Sequence, residues 1–155
     1  DYITKPFDFK LLKFKIDNYI SNRKKLINRF TQEPNLPADV LTNSDQDKQF
    51  IEELTRIIDE SIGKLDFNIE FLAKQTGHSR TNLYNKMKGI TGVTPHQYII
   101  SLQMKKAVLL LEETSYPISE VGLMVGFNDA NYFSKSFKKH FGKTPKSYRV
   151  EGKKS

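Results

Sequence analysis

The chain has no cysteine among its 155 residues. That excludes disulfides, thiol nucleophiles and thiolate metal sites, and it fits a reducing compartment. No apolar run reaches the roughly 18 residues that a membrane-spanning helix needs. The first ten residues, DYITKPFDFK, mix polar and apolar types and show no secretory signal; the expected location is the bacterial cytoplasm, including the cytoplasmic end of a membrane-anchored protein. No segment sustains strand-like alternation, and almost no strand is expected beyond Tyr2-Ile3. The three histidines, His78, His96 and His140, lack ligand spacing and an accompanying Glu. Turn, cap and surface roles suit them better than metal binding. There is no nucleophile–base pair, glycine-rich phosphate loop or paired-carboxylate site. The expectation is a protein that is not an enzyme, with no cofactor, no metal and no small-molecule site.

Acid is also missing where it matters. Net charge is 25 − 18 = +7. Between Lys74 and Lys106 there are six Lys/Arg and no acid, and between Ala130 and Val150 again six and none. Clustered signs on a solvated surface are commonplace. Two such windows, each on one copy of a repeat, point instead to a phosphate-facing surface.

That repeat is the most informative feature present. Gly-x-Thr-Pro-x-x-Tyr occurs at Gly92–Tyr98 and at Gly142–Tyr148, fifty positions apart. Each copy closes a matching stretch. The first contains Ile69, Leu72, Ala73, Gly77, Leu83 and Met87; the second contains Ile118, Val121, Gly122, Gly126, Phe133 and Phe137. The offset is 49 through Gly77/Gly126 and 50 afterwards, so the second turn holds one extra residue. Short helix, Gly turn and second helix, repeated, is a duplicated helix-turn-helix.

Three zones follow from the pattern. Residues 1–30 hold a short apolar start, a Lys5-Pro6 step and a helix from Phe9, with Asp8 as its cap. Phe9, Leu12, Ile16 and Ile20 share one face. Residues 31–45 are a linker with two prolines and no sustained period. Residues 46–150 are helical throughout, and 151–155 are a tail. A helix over 46–63 turns Phe50, Leu54, Ile57, Ile58 and Ile62 inward and stops at Gly63. Motif helices are expected near 69–76 and 80–90, then near 118–125 and 130–140. A long helix runs from Pro95 to Glu113, opened by a Thr94/Gln97 capping box. A short helix starts at Pro145. Glu112-Glu113 reads as a solvated end.

In a helix-turn-helix the second helix lies in a major groove while the first braces it. Ala73 and Gly122 allow close packing, and Gly77 and Gly126 allow a left-handed turn. Leu83, Met87, Phe133, Phe137 and Phe141 read as core; the Phe spacing is one buried face rather than a stacking platform for single strands. Residues left outward are the candidate base contacts: Arg80, Thr81, Tyr84, Asn85, Ala130, Asn131 and Lys135. Asn pairs with adenine, Lys or Arg with guanine, and Ala or Thr methyls touch thymine. Phosphate candidates are Ser79, Lys86, Lys88, Tyr132, Ser134, Lys138, Lys139 and His140.

The stretch from Asp47 to Arg149 closely resembles the AraC/XylS-type DNA-binding domain. It carries Lys106-Ala107-x-x-Leu110-Leu111, Ile118-x-Glu120-Val121 and Val125-Gly126-Phe127-x-Asp129-x-x-Tyr132-Phe133-Ser134-Lys135-x-Phe137-Lys138-Lys139-x-Phe141-Gly142-x-Thr144-Pro145-x-x-Tyr148-Arg149. The resemblance implies an all-α fold of seven helices, with two helix-turn-helix subdomains joined by a long central helix. It implies base contacts from Thr81, Tyr84, Asn85, Ala130, Asn131 and Lys135. Gly122 departs from the Ala usual in the family and should loosen its helix slightly. Asp1-Tyr2-Ile3-Thr4-Lys5-Pro6-Phe7 resembles the last strand and phosphate-sensing loop of a response-regulator receiver domain. Lys5 and Pro6 would be inactive in this fragment. The implied whole is a hybrid two-component regulator with upstream receiver and histidine kinase domains.

The expected function is therefore the sequence-specific, double-stranded-DNA-binding output domain of a two-component transcription regulator. Activation is favoured, with RNA polymerase as a partner. An architectural, non-specific DNA-binding module is the alternative. A repair enzyme fused to this domain would need a reactive Cys, which is absent. The apolar face of residues 9–30 should pack on the output domain, on a second chain or on a crystal neighbour, so a homodimer through this segment is a further expectation.

Overall fold

The computed structural model describes residues 9–32 and 44–152. Among them are eight α-helices and no strand. Tyr2-Ile3, Lys5-Pro6, the Asp8 cap, most of the linker and the end of the tail lie outside the described residues.

Helix α1 spans Phe9–Gln32, and α2 spans Asp45–Ser61. Ser44 caps α2, its Oγ accepting from Asp47 N at 3.1 Å, with Asp45 and Asp47 in the first turn facing the helix dipole. Phe50, Ile51, Leu54, Ile57 and Ile58 form its buried stripe. Leu54 and Ile58 are fully buried, and each such side chain stabilises the fold by about 1.5–3 kcal/mol.

The first helix-turn-helix is α3 (Ile69–Gln75) and α4 (Arg80–Thr91); the second is α6 (Ile118–Met124) and α7 (Ala130–Phe141). Between them runs α5 (Pro95–Glu113), and α8 (Pro145–Gly152) closes the chain. Helix α2 packs on α3 and α5, α3 on α4, and α4 on α5; in the other half, α5 touches α6 and α8, α6 packs on α7, and α7 packs on α8. Helix α5 buries Tyr98, Ile99, Leu102, Met104, Ala107 and Leu111, which lie around much of its circumference. A helix apolar on most sides is one that neighbours enclose, and α5 is the shared wall of both halves.

The repeated heptapeptide does the same work twice. Thr94 Oγ1 accepts from Gln97 N at 3.2 Å while Gln97 Oε1 accepts from Thr94 N at 2.9 Å, completing the expected capping box. Thr144 Oγ1 likewise accepts from Ser147 N at 3.2 Å. Each closing tyrosine then reaches another helix. The Tyr98 hydroxyl lies 2.7 Å from Thr55 Oγ1 on α2, and the Tyr148 hydroxyl donates to Glu112 Oε1 at 3.0 Å. Glu112 is thus a tie between α5 and α8, not merely the solvated end that its sequence position suggests.

The halves meet at two glycines. Gly63, at φ +89°, ends the α2 segment; a Cβ there would lie 2.7 Å from the Met124 carbonyl oxygen. The Cβ of a residue at Gly126 would lie 3.0 Å from Gln103 Nε2 and 3.4 Å from Gly63 N. Helix α1 stands apart from this core and touches α7. Phe9, Phe14 and Ile16 remain 81%, 63% and 48% exposed. Of the predicted face, Phe9, Ile16 and Ile20 are exposed and Leu12 is half-buried, so the output domain covers little of it.

Candidate nucleic-acid interface

Each motif is built from a brace, a turn and a capped outward helix. In the first, Asn68 Oδ1 caps α3 by accepting from Phe71 N at 2.9 Å. The chain reverses at Gly77, at φ +68°, and His78 N donates to Ala73 O at 2.9 Å. In the second, Gly126 at φ +88° makes the turn and Phe127 N donates to Gly122 O at 2.9 Å. The turns hold residues 76–79 and 125–129, so the extra residue lies where the change of offset puts it.

Ser79 Oγ accepts from Asn82 N at 3.2 Å and fixes the start of α4. Asp129 Oδ1 accepts from Tyr132 N and fixes the start of α7. Leu83 and Met87 are fully buried on one face, Phe133 and Phe137 on the other, as the spacing predicts; Phe141 is partly buried against them. The aromatic rings form a chain, with Phe127–Phe133 at 5.4 Å, Phe133–Phe137 at 5.9 Å and Phe137–Phe141 at 4.6 Å between centroids. Three of these rings line one face of α7, and the Phe127–Phe133 pair ties that helix to the turn before it. A Cβ at Gly122 would sit 3.1 Å from the Phe133 ring, so the glycine seats that ring. This is the close packing expected of Gly122.

The outward faces carry the predicted groups. Arg80, Thr81, Tyr84, Asn85 and Lys88 are exposed on α4; Ala130, Asn131, Tyr132, Lys135, Lys138 and Lys139 are exposed on α7. Three phosphate candidates are less open. Lys86 is half-buried with Nζ 4.0 Å from the Phe50 ring centroid, a cation–π contact with α2. Ser134 is half-buried. His140 is half-buried beside Phe141, its Nε2 is fully covered with no hydrogen-bond partner, and burial pushes its imidazole below 6.5. His78 has a turn role: Nδ1 meets Thr76 O, and its ring lies 5.4 Å from Phe50. His96 is exposed in the first turn of α5; Thr94 and Gln97 do the capping.

The first halves of the two recognition helices border one surface. A hollow of about 430 Å³ is lined by Arg80, Thr81, Tyr84, Ile69 and His96, among others. A second of about 470 Å³ is lined by Ile69, His96, Lys64, Asn128, Asp129 and Tyr132, among others. Sharing Ile69 and His96, they form one trough from α4 to the start of α7. Sequence reasoning did not single out Lys64 or give His96 this place, because neither lies on a motif helix.

Residues 72–151 match the family model described as a helix-turn-helix domain. The chain belongs to the AraC-type helix-turn-helix family of DNA-binding transcription regulators. It is 34% identical over 149 residues to a protein named histidine kinase P4 from Formosa agariphila, covering 96% of this chain but 11% of that one. It is 34% identical over 104 residues to the Msm operon regulatory protein of Streptococcus mutans, covering 67% of this chain and 37% of that one. The C-terminal domain of the two-component response regulator yesN from Fusobacterium nucleatum superposes with a TM-score of 0.61 and 35% identity, over 65% of this chain and 98% of that domain. The AraC-type chain thus spans well under half the length of these two curated relatives. Among the described residues no helix is long and apolar enough to cross a membrane.

Proposed function

We propose that this chain is the sequence-specific DNA-reading output domain of a two-component transcription activator, controlled by phosphorylation of an upstream receiver domain. One observation carries the reading. Two helix-turn-helix units, fixed to a common α5, present their outward helices along a continuous trough rimmed by donors. Two recognition helices then occupy successive major-groove segments about one turn, roughly 34 Å, apart. Arg80, Thr81, Tyr84, Asn85, Ala130, Asn131 and Lys135 contact base edges; the exposed lysines supply salt-dependent affinity through phosphates. The yesN domain and the histidine kinase relative support two-component control. A neighbour at TM-score 0.59 and 26% identity, the AdpA DNA-binding domain, was solved in complex with a target DNA, which supports the DNA reading.

The test is selection of bound duplexes from a random library, then affinity for the winner and a scramble across a salt series. A two-block motif preferred by roughly a thousandfold or more supports specific reading. Equal binding with a steep salt slope refutes it. On the winning site, Asn131→Ala should cost about 1–3 kcal/mol and relax one position. An equal loss on every sequence would remove Asn131 from the base-reading set.

A further inference from the structure

Much of the trough between the recognition helices is lined by apolar groups such as Ile69, Pro95 and Phe127, but its charged groups are mostly basic. Its lining carries Arg80 and Lys64, the His96 imidazole and the Asn128 carboxamide. Asp129 is the one carboxylate among the described lining residues, and its Oδ1 is engaged by Tyr132 N. Lys64, His96 and Asn128 are all exposed. They come from three different places: the turn after α2, the first turn of α5, and the turn before α7. The hollow is an open trough, and it ends at a recognition helix on each side.

On B-DNA, two major-groove segments on one face are separated by a minor groove and its two phosphate strands. A surface joining the first halves of both recognition helices faces those strands. Its lining of cation, imidazole and carboxamide suits phosphate oxygens. We propose that Lys64 and His96, with Asn128, form a phosphate-binding bridge that seats the DNA backbone between the two base-read blocks. This rests on the two-block reading above. The bridge contributes register and affinity without sequence information. It acts on duplexes that continue through the spacer.

The experiment uses the chain, its selected two-block duplex, and the same duplex with neutral methylphosphonates replacing the spacer phosphates. For wild type, neutralising the spacer should weaken binding about tenfold and lower the salt slope by about 0.9 per lost contact. Lys64→Gln combined with His96→Ala should weaken the native duplex comparably. That variant should lose little more when the spacer is neutral, and its ratio of site to scramble should stay unchanged. Equal losses from spacer neutralisation in wild type and variant would overturn the bridge, as would a variant with wild-type affinity and slope. A variant loss that ignores the spacer would place the two side chains on DNA outside the spacer and equally overturn it. Failure of the underlying reading looks different, since wild type itself would then prefer no site over a scramble. Circular dichroism of the variant separates misfolding from a lost contact, and both positions are exposed.

Discussion

The contact between the turns at Gly63 and Met124 offers a test of how the halves are joined. Substituting Ala at Gly63 meets two penalties. The left-handed backbone at φ +89° costs a residue with a Cβ about 1–2 kcal/mol. The lower entropy of the unfolded chain offsets about 0.4–1 kcal/mol of that. The second penalty is steric. The new Cβ would stand 2.7 Å from a backbone carbonyl oxygen, which cannot rotate away as a side chain can. The two turns would have to part, and overpacking of this kind costs about 1–3 kcal/mol. Gly77 supplies the control: it is also left-handed, at φ +68°, but a Cβ there would meet nothing within 4 Å. Gly77→Ala should therefore cost about 1 kcal/mol and Gly63→Ala about 2–4 kcal/mol. At about 4 °C per kcal/mol for a domain of this size, thermal unfolding should separate the two variants clearly. Equal shifts, or a smaller one for Gly63→Ala, would refute the claim that the two halves press on each other here.

Two further outcomes follow from local geometry. Thr94→Ala removes the Oγ1 acceptor for Gln97 N but keeps the Thr94 backbone N–H that donates to Gln97 Oε1, so it should cost about 1 kcal/mol in chemical denaturation; no change would mean that water replaces the cap. For His140, burial lowers the folded pKa below 6.5, so the unfolded chain takes up the proton first as pH falls. Its stability contribution is complete above 6.5 and is lost below it. Denaturation midpoints of wild type should drop more between about pH 7.5 and about pH 5.5 than those of His140→Gln. A parallel drop would place the acid sensitivity elsewhere.

Much of the fold was legible because the repeat imposes its own register. The Gly turns, the Ser79 and Asp129 positions, and the apolar spacing of Leu83/Met87 and Phe133/Phe137 each mark a local event that short-range physics decides. The long-range ties were not legible. Nothing in the heptapeptide says that Tyr98 finds Thr55 or that Tyr148 finds Glu112, since these partners lie 43 and 36 residues away. Close packing at Gly122 was readable, but that the ring of Phe133 is what packs there was not. Helix propensity counts a missing side chain as a loss, while the ring of Phe133 occupies the space that it vacates. The outward face was readable by subtraction, because the residues left after core and caps are the exposed ones. Subtraction could not find the partial cover over the phosphate candidates Lys86 and His140, which long-range neighbours provide, or the trough, which belongs to neither motif.

The join between the halves is what makes a duplicated motif more than two weak ones. A single recognition helix gains a few base contacts and must still meet the entropy of association. Once one unit is seated, a rigid connection presents the second at high effective concentration, but only if the geometry matches the groove spacing. Helix α5 is enclosed by both halves, and the Gly63–Met124 and Gly126–Gln103 approaches pin the turns beside it. Relaxing that join should then harm binding of a two-block duplex while leaving a single block almost untouched. Gly63→Ala should show this split at a temperature where the variant is still folded. If affinity for one block falls as much as affinity for two, the join stabilises the domain without setting its reach.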